Sequence, residues 1–257
     1  MTIDDLDLRA ALERAARAPH LLVASDYDGV LAPIVTDPAK AVPLPEGIQA
    51  LADLSVLPAT TVALVSGRAR ADLATLSGAP ERVHLVGSHG AEFDHGFASP
   101  LGPEQLALHE RLRTALDGLI DGRPGVWLEL KPASVVVHTR TAPRDVAAAV
   151  TDEVLRGPAT WPGVHPTTGK EVVELSVTTA HKGTAIDTLR DRVSADVVVY
   201  LGDDVTDENA FAHLHTGDVG IKVGPGETRA HFRVADPEAA VGALRQLADL
   251  RRHAGAG

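Results

Sequence analysis

The segment Asp26-Tyr27-Asp28-Gly29-Val30-Leu31 directly follows an apolar run, Leu21-Leu22-Val23-Ala24-Ser25, and the fold can be worked out from this junction. The run is short and has no polar alternation, which predicts a strand buried on both faces, as in a parallel sheet. Gly29 permits a sharp turn after the two carboxylates. Taken alone, the pair indicates equally well an Asx-turn that ends a strand or a ligand site at the carboxyl end of a parallel strand.

Two further apolar runs end in the same style. Thr60–Val65 leads into Ser66-Gly67-Arg68, and residues 196–201 lead into Gly202-Asp203-Asp204. Repeated βα units predict parallel pairing and right-handed crossovers, which bring the three strand ends to one edge of the sheet. Lys182 begins a predicted helix, so it can supply a cation at that edge, where the helix N-terminus also offers N–H groups to an anion.

The pattern changes in the middle third of the chain. Residues 126–131 and 134–140 alternate like strands around a tight turn, and short strands near Val164-His165 and at 170–177 are predicted to flank Thr167-Thr168-Gly169. Tight turns between neighbouring strands indicate antiparallel pairing. The fold class is therefore predicted as α/β, with a parallel-sheet core at 1–101 and 179–257 and an inserted α+β unit at 102–178.

Several polar side chains of the inserted unit are predicted to share strand faces. A strand has a period of two, which groups these residues as Trp127, Glu129 and Lys131; Ser134, His138 and Arg140; and Lys170 and Glu174. An ordinary solvated face of an antiparallel sheet would show the same pattern.

The composition of the chain argues against several classes of partner and site. A net charge of −11 without a long basic run argues against nucleic acid or an anionic membrane as partner. The chain contains no cysteine, which excludes disulfides and thiolate–zinc sites. The acidic N-terminus lacks a signal pattern, and no apolar run approaches the ~20 residues of a membrane span. We therefore expect a cytoplasmic protein.

The residues at the predicted sheet edge suit phosphoryl transfer. A carboxylate can attack phosphorus to give an aspartyl-phosphate, and a second carboxylate can protonate the leaving oxygen and later activate water. Carboxylates also suit Mg²⁺, while a hydroxyl and an ammonium can neutralise the phosphoryl oxygens. Each feature alone has an ordinary structural explanation, but their joint occurrence favours function. The motifs of P-loop, dinucleotide-binding, serine-hydrolase and zinc-protease sites are absent.

These four segments together resemble the haloacid dehalogenase-like phosphatase superfamily. The first motif is matched at Asp26–Leu31, with Val30 where threonine is commoner, and the others at Ser66, Lys182 and Gly202–Asp207. Further segments resemble, more narrowly, the trehalose-6-phosphate phosphatases. They are Asp28-Gly29-Val30-Leu31-Ala32-Pro33-Ile34, Val65-Ser66-Gly67-Arg68, Gly90-Ala91-Glu92, Glu129-Leu130-Lys131-Pro132-Ala133-Ser134 and Gly202-Asp203-Asp204-Val205-Thr206-Asp207-Glu208.

The resemblance implies a Rossmann-like core with an α/β cap and Mg²⁺-dependent hydrolysis of trehalose 6-phosphate. It implies that Asp26 is the nucleophile and Asp28 the general acid/base, while Ser66 and Lys182 hold the phosphoryl group. The implied Mg²⁺ ligands are the Asp26 carboxylate, the Asp28 backbone carbonyl and Asp203. The resemblance also implies that Asp204 and Asp207 support the metal ligands from outside or through water.

For the sugar, the resemblance implies recognition by the polar strand face of the cap, at Glu129, Lys131, Ser134 and Glu174, with Arg68 near the phosphate. After Glu174 the sequence departs from the family pattern, because Leu175-Ser176 stands where the family often has Arg-Pro. Two alternatives stay open: a related phosphatase of sucrose or mannosylglycerate phosphates, and a catalytically silent sugar-phosphate-binding or regulatory subunit. A functional pairing with trehalose-6-phosphate synthase is also expected.

Overall fold

The computed structural model of the 257-residue chain describes residues 3–94 and 101–254. The chain divides into two compact units, one formed by Met1–Phe97 with Ala180–Gly257 and the other by Ala98–Thr179. These boundaries lie within a few residues of the predicted ones at 101/102 and 178/179. We refer to the first unit as the core unit and to the second as the cap unit.

The strands are short and the helices vary in length. In chain order, the strands are β1 (Leu21–Ser25), β2 (Thr60–Val65), β3 (Val83–Val86), β4 (Trp127–Lys131), β5 (Ser134–His138), β6 (His165–Gly169), β7 (Val172–Ser176), β8 (Val197–Gly202), β9 (Val219–Val223) and β10 (Phe232–Val234). The helices are α1 (Ile3–Ala15), α2 (Pro45–Ser55), α3 (Arg70–Ser77), α4 (Pro103–Ile120), α5 (Arg144–Arg156), α6 (Lys182–Val193), α7 (Asp207–Ala212) and α8 (Pro237–Ala254). Within the described part of the chain, no helix combines the length and the apolar character needed to cross a membrane.

The core unit contains a six-stranded, wholly parallel sheet in the order β10-β9-β8-β1-β2-β3. Strand β1 lies inside the sheet between β8 and β2, and all five of its residues are buried. Separate apolar clusters cover the two faces of the sheet. The prediction of a parallel sheet with doubly buried strands is thereby confirmed, and it places the ends of β1, β2 and β8 at one edge.

The cap unit contains an antiparallel sheet in the order β4-β5-β7-β6. One sheet face packs against α4 and α5, whose leucines and valines form a buried cluster with the alternate residues of β5 and β7. The other face carries Glu129, Lys131, Ser134 and Glu174, because the register pairs Lys131 with Ser134 and places Glu174 opposite Val136. The predicted α/β fold class with an inserted α+β unit is confirmed.

The predicted turn at Thr167-Thr168-Gly169 is wrong. These residues belong to β6, and the chain reverses at Lys170 and Glu171, where Glu171 adopts a φ of 62°. Lys170 therefore lies outside the strand that it was predicted to share with Glu174, and Arg140 lies beyond the end of β5. All five residues of β6 are exposed, so no alternation of apolar residues marks this edge strand in the sequence.

Candidate active site

The centre of the site is a buried ion-pair triad of Asp26, Lys182 and Asp207. Asp26 directly follows β1, and its N–H donates to Leu201 O at 2.9 Å, which extends the pairing with β8 by one residue. The Lys182 Nζ donates to Asp26 Oδ2 at 2.6 Å and to Asp207 Oδ1 at 2.7 Å. The three residues are exposed by 5%, 1% and 0%, so the triad is removed from solvent.

Lys182 owes its position to the start of α6. His181 precedes this helix, and its Nδ1 accepts from the N–H groups of Gly183 and Thr184 at 3.1 and 3.3 Å. In return, Thr184 Oγ1 accepts from the N–H of His181 at 3.0 Å. This reciprocal cap satisfies N–H groups that a helix start leaves without partners. It fixes the first helical residue, and with it the lysine that points at Asp26.

Burial and pairing shift the pKa values of the triad. Burial raises the pKa of Asp26 well above its ordinary value, although Lys182 opposes that shift. Burial alone would lower the pKa of Lys182, but Asp207 and Asp26 raise it above the ordinary value. The pKa of Asp207 is lowered because Lys182 and a hydroxyl donor outweigh its burial. Lys182 therefore stays cationic and favours the ionised form of both carboxylates.

Asp207 supports its neighbours through four hydrogen bonds. Besides Lys182, Oδ1 accepts from the hydroxyl of Tyr200 at 2.6 Å, and Oδ2 accepts from the N–H groups of Asp203 and Asp204 at 3.0 and 2.9 Å. A carboxylate offers about four acceptor sites, so this capacity is used. Tyr200 was not identified as a site residue from the sequence, because one tyrosine in an apolar strand is typical of core packing. The signal was a hydroxyl group that needs a partner when buried.

An acidic cluster marks the candidate metal position. One carboxylate oxygen from each of Asp26, Asp203 and Asp207 lies within 4.8 Å of the others. Gly29, at a φ of +74°, allows this approach, since a Cβ at that position would lie 2.0 Å from Asp203 Oδ2. Hard carboxylate oxygens held this close fit a divalent cation such as Mg²⁺. Asp207 is already occupied by four donors, which leaves Asp26 and Asp203 as the better suited ligands.

The pKa of Asp203 is shifted into a pH range in which protein unfolding can be measured. Burial, reinforced by repulsion from Asp207, raises its pKa from 3.8 to about 7, while Lys182 and Lys222 oppose that rise. The folded protein therefore binds this proton more tightly than the unfolded chain does. Stability from the protonated group is fully present below the unfolded pKa and is lost as the pH rises through the folded pKa.

Metal-free wild-type protein is expected to be less stable than the Asp203→Asn variant at about pH 8, by about 4 kcal/mol, the equivalent of a shift of about three pKa units. The difference should shrink towards about pH 4, where both side chains are neutral. Urea unfolding in the presence of a chelator measures it, with Asp191→Asn as an exposed control on α6. A difference between variant and wild type that does not change with pH would contradict the assigned shift.

Asp28, Arg68 and Ser66 form a second, partly buried group in the core unit. The Arg68 guanidinium donates to both oxygens of Asp28, from Nε at 2.6 Å and from the terminal nitrogen at 2.7 Å. The Arg68 N–H donates to Ser66 Oγ at 3.2 Å, and Ser66 itself is buried. Arg68, which was predicted to lie near the phosphate, thus contacts Asp28, the predicted general acid/base.

Asp204 is exposed beside Asp203, and its carboxylate accepts from the N–H of Val205.

The polar face of the cap sheet holds a hydrogen-bonded cluster. Glu174 accepts from Lys131 Nζ at 3.2 Å and from Ser134 Oγ at 2.6 Å. Glu129 is paired with His138, whose Nε2 lies 2.9 Å from Oε2, and this contact is the main cause of the lowered pKa of Glu129. The structure therefore brings Lys131, Ser134 and Glu174 into direct contact, and it gives Glu129 a separate partner.

Comparison with known proteins gives a family match over most of the chain. A family model described as trehalose-phosphatase matches residues 24–241. A bifunctional trehalose-6-phosphate synthase/phosphatase of Thermoproteus tenax is 35% identical over 237 residues, which cover 90% of this chain and 32% of that protein. A trehalose-phosphate phosphatase of Mycobacterium marinum is 34% identical over 234 residues, which cover 85% of this chain and 59% of that protein.

Among solved structures, the C-terminal domain of a trehalose-6-phosphate phosphatase from C. albicans has a TM-score of 0.77. It is 23% identical, and the match covers 95% of this chain and 97% of that one. At this identity, the comparison supports the fold. The chain spans less than two thirds of the length of both curated relatives described above.

Proposed function

The chain belongs to the trehalose-phosphatase family, and from this membership we propose that it hydrolyses trehalose 6-phosphate to trehalose and phosphate. The observation that carries the proposal is the buried contact of Asp26 with Lys182, within the acidic cluster that Asp203 completes. A carboxylate fixed in that surrounding has the components that a phosphoryl-transfer site needs: a nucleophile, a cation and oxygen ligands for a metal.

We propose Mg²⁺ as the cofactor, held by the carboxylates of Asp26 and Asp203 and by the backbone carbonyl of Asp28. When bound, the cation supplies positive charge that stabilises a phosphoryl group and the ionised form of its carboxylate ligands. Asp204 and Asp207 would support these ligands from outside. The four donors already on Asp207 favour that supporting role.

In the proposed reaction, a carboxylate oxygen of Asp26 attacks phosphorus and the bond from phosphorus to the sugar oxygen breaks. Asp28 gives its proton to that leaving oxygen, and trehalose departs. Asp28 then takes a proton from a water molecule, which attacks phosphorus and releases phosphate from Asp26. Lys182 and Ser66 stabilise the charge on the transferring group. Arg68 must give up part of its contact with Asp28 for that carboxyl group to be protonated.

The sugar would be bound by the polar face of the cap sheet, with Glu129, Lys131, Ser134 and Glu174 as donors and acceptors for its hydroxyl groups. The direct contacts of Lys131 and Ser134 with Glu174 support the proposal, because they hold these side chains in defined positions. Charged partners give stronger hydrogen bonds than neutral ones, which suits a ligand rich in hydroxyl groups.

Phosphate release from a panel of sugar phosphates tests the proposed function. The panel compares trehalose 6-phosphate with sucrose 6-phosphate, a mannosylglycerate phosphate and glucose 6-phosphate, each with Mg²⁺ and with a chelator. We expect Mg²⁺-dependent release that is fastest with trehalose 6-phosphate. Equal rates across the panel would refute the narrow substrate and favour a broader sugar phosphatase. Tight ligand binding without any release would instead support a silent sugar-phosphate-binding subunit.

We also propose that the substrate is supplied by a trehalose-6-phosphate synthase. The Thermoproteus tenax relative carries synthase and phosphatase in one named protein. This chain matches the phosphatase family model and covers 32% of that relative, which supports a functional pairing of two activities rather than a specific physical contact.

A further inference from the structure

Lys222 is a charged residue at a position where the sequence indicates only core. It lies in β9, Val219-Gly220-Ile221-Lys222-Val223, and all five residues of this strand are buried. Lys222 itself is exposed by 4%. A buried ammonium is costly unless it is hydrogen-bonded, so its contacts indicate what it is retained for.

The Lys222 ammonium group contacts the main chain beside the acidic cluster. Its Nζ donates to Asp203 O at 2.5 Å and to Val223 O at 2.7 Å. The register of β8 with β9 pairs Lys222 with Gly202, the residue before Asp203. Strand pairing thus places the lysine at the point where β8 ends and Asp203 begins.

Asp203 is consequently held on both sides of its Cα. Its N–H donates to Asp207 Oδ2 at 3.0 Å, and its carbonyl accepts from Lys222. Its carboxylate packs closely against Gly29, since Asp203 Oδ2 fills the space that a Cβ at position 29 would occupy. A rotation of the 203 main chain would move this carboxylate away from Asp26. Lys222 opposes such a rotation at the carbonyl group, and Asp207 opposes it at the N–H.

We infer that Lys222 is a positioning residue that holds the main chain of Asp203 so that its carboxylate can bind the divalent cation. The inference rests on the proposed function, because that function assigns a cation to this cluster. Lys222 would act through the Asp203 carbonyl group, without contact to the cation or the substrate. A lysine that only stabilises the fold would share its burial but would not change the affinity for the cation.

Titration of the full metal-free chain with Mg²⁺ by calorimetry tests the inference. We expect Lys222→Met to raise the Mg²⁺ dissociation constant by about 10- to 100-fold, as replacement of a residue that supports metal ligands does elsewhere. Phosphate release should then need more Mg²⁺, and kcat should return towards the wild-type value when Mg²⁺ is saturating. Circular dichroism checks that the variant is folded.

Arg190→Met is the matched control. Arg190 is also a buried cation in the core unit, but its guanidinium contacts the carboxylate of Asp218 rather than the acidic cluster. We expect this variant to lose stability and to keep the wild-type Mg²⁺ dissociation constant. Equal weakening of Mg²⁺ binding in both variants would overturn the inference, because it would trace the effect to a loosened fold.

Three further outcomes separate the inference from the proposed function. A wild-type enzyme that hydrolyses trehalose 6-phosphate, with a Lys222→Met variant that binds Mg²⁺ equally well, overturns the inference alone. Mg²⁺ binding that weakens on substitution, in a protein without phosphatase activity, supports the inference and overturns the function. If Lys222→Met is unfolded, Lys222→Gln takes its place with a smaller expected rise, and unfolding of both overturns the inference.

Discussion

Replacement of Asp26 by asparagine is expected to lower the rate of phosphate release by about 10⁴-fold or more, the order of loss that removal of a catalytic nucleophile produces. An amide oxygen is uncharged and cannot form the aspartyl-phosphate. The shape of the side chain is unchanged, and burial raises the pKa of Asp26 because the charged form is unfavourable there. The fold should therefore persist, with an unfolding temperature no lower than that of the wild type.

The measurement compares phosphate release and thermal unfolding of Asp26→Asn with those of Asp191→Asn. Asp191 is an exposed aspartate on α6 in the same unit, so its variant controls for the loss of one negative charge. Retained turnover in Asp26→Asn would remove Asp26 from the role of nucleophile. A large fall in unfolding temperature would show instead that the carboxylate is needed for folding.

Replacement of Lys182 by methionine is expected to destabilise the folded protein by about 3–5 kcal/mol near neutral pH, since removal of one partner leaves buried charge uncompensated. Lys182 is exposed by 1% and is the cation that contacts both Asp26 and Asp207. Phosphate release should also fall, because the charge near the transferring group is lost. The unfolding free energy should recover as the pH is lowered, since protonation removes the uncompensated charge.

A double-mutant cycle separates the two effects of Lys182. Asp26→Asn in the Lys182→Met background should restore part of the lost unfolding free energy, because one uncompensated carboxylate is removed. It should not restore phosphate release. Urea unfolding of the four proteins measures the coupling. Strict additivity of the two substitutions would contradict a direct stabilising contact between Lys182 and Asp26.

The core sheet could be predicted from the sequence because its strands are apolar runs that end in polar residues. The apolar run before Asp26 predicted β1 at Leu21–Ser25, and the structure has the same bounds. Parallel pairing then indicated that Asp26 and the residues that follow β8 lie at one edge, and the structure brings Asp26, Asp203 and Asp207 within 4.8 Å. In this region, a local pattern and one rule of sheet geometry were sufficient.

The other parts of the site could not be predicted from the sequence, because they depend on contacts that no local sequence pattern shows. The pairing of Lys182 with Asp26 joins residues that are 156 positions apart. Tyr200 and Lys222 lie in strands that are otherwise apolar, so their polar atoms acquire a role only when the loop after β8 folds against them. The error at β6 has a related cause, because an exposed edge strand has no buried face to mark it and a glycine such as Gly169 is typical of turns.

The covalent state of Asp26 during turnover shows whether the reaction passes through an aspartyl-phosphate. Wild-type protein mixed with trehalose 6-phosphate and Mg²⁺ can be quenched in acid within one turnover, digested and mapped by mass spectrometry. We expect a phosphoryl group on the peptide that contains Asp26, and its absence when Asp26→Asn is treated in the same way. Phosphate release with the phosphoryl group on another residue, or with no phosphorylated peptide at any quench time, would rule out Asp26 as the nucleophile.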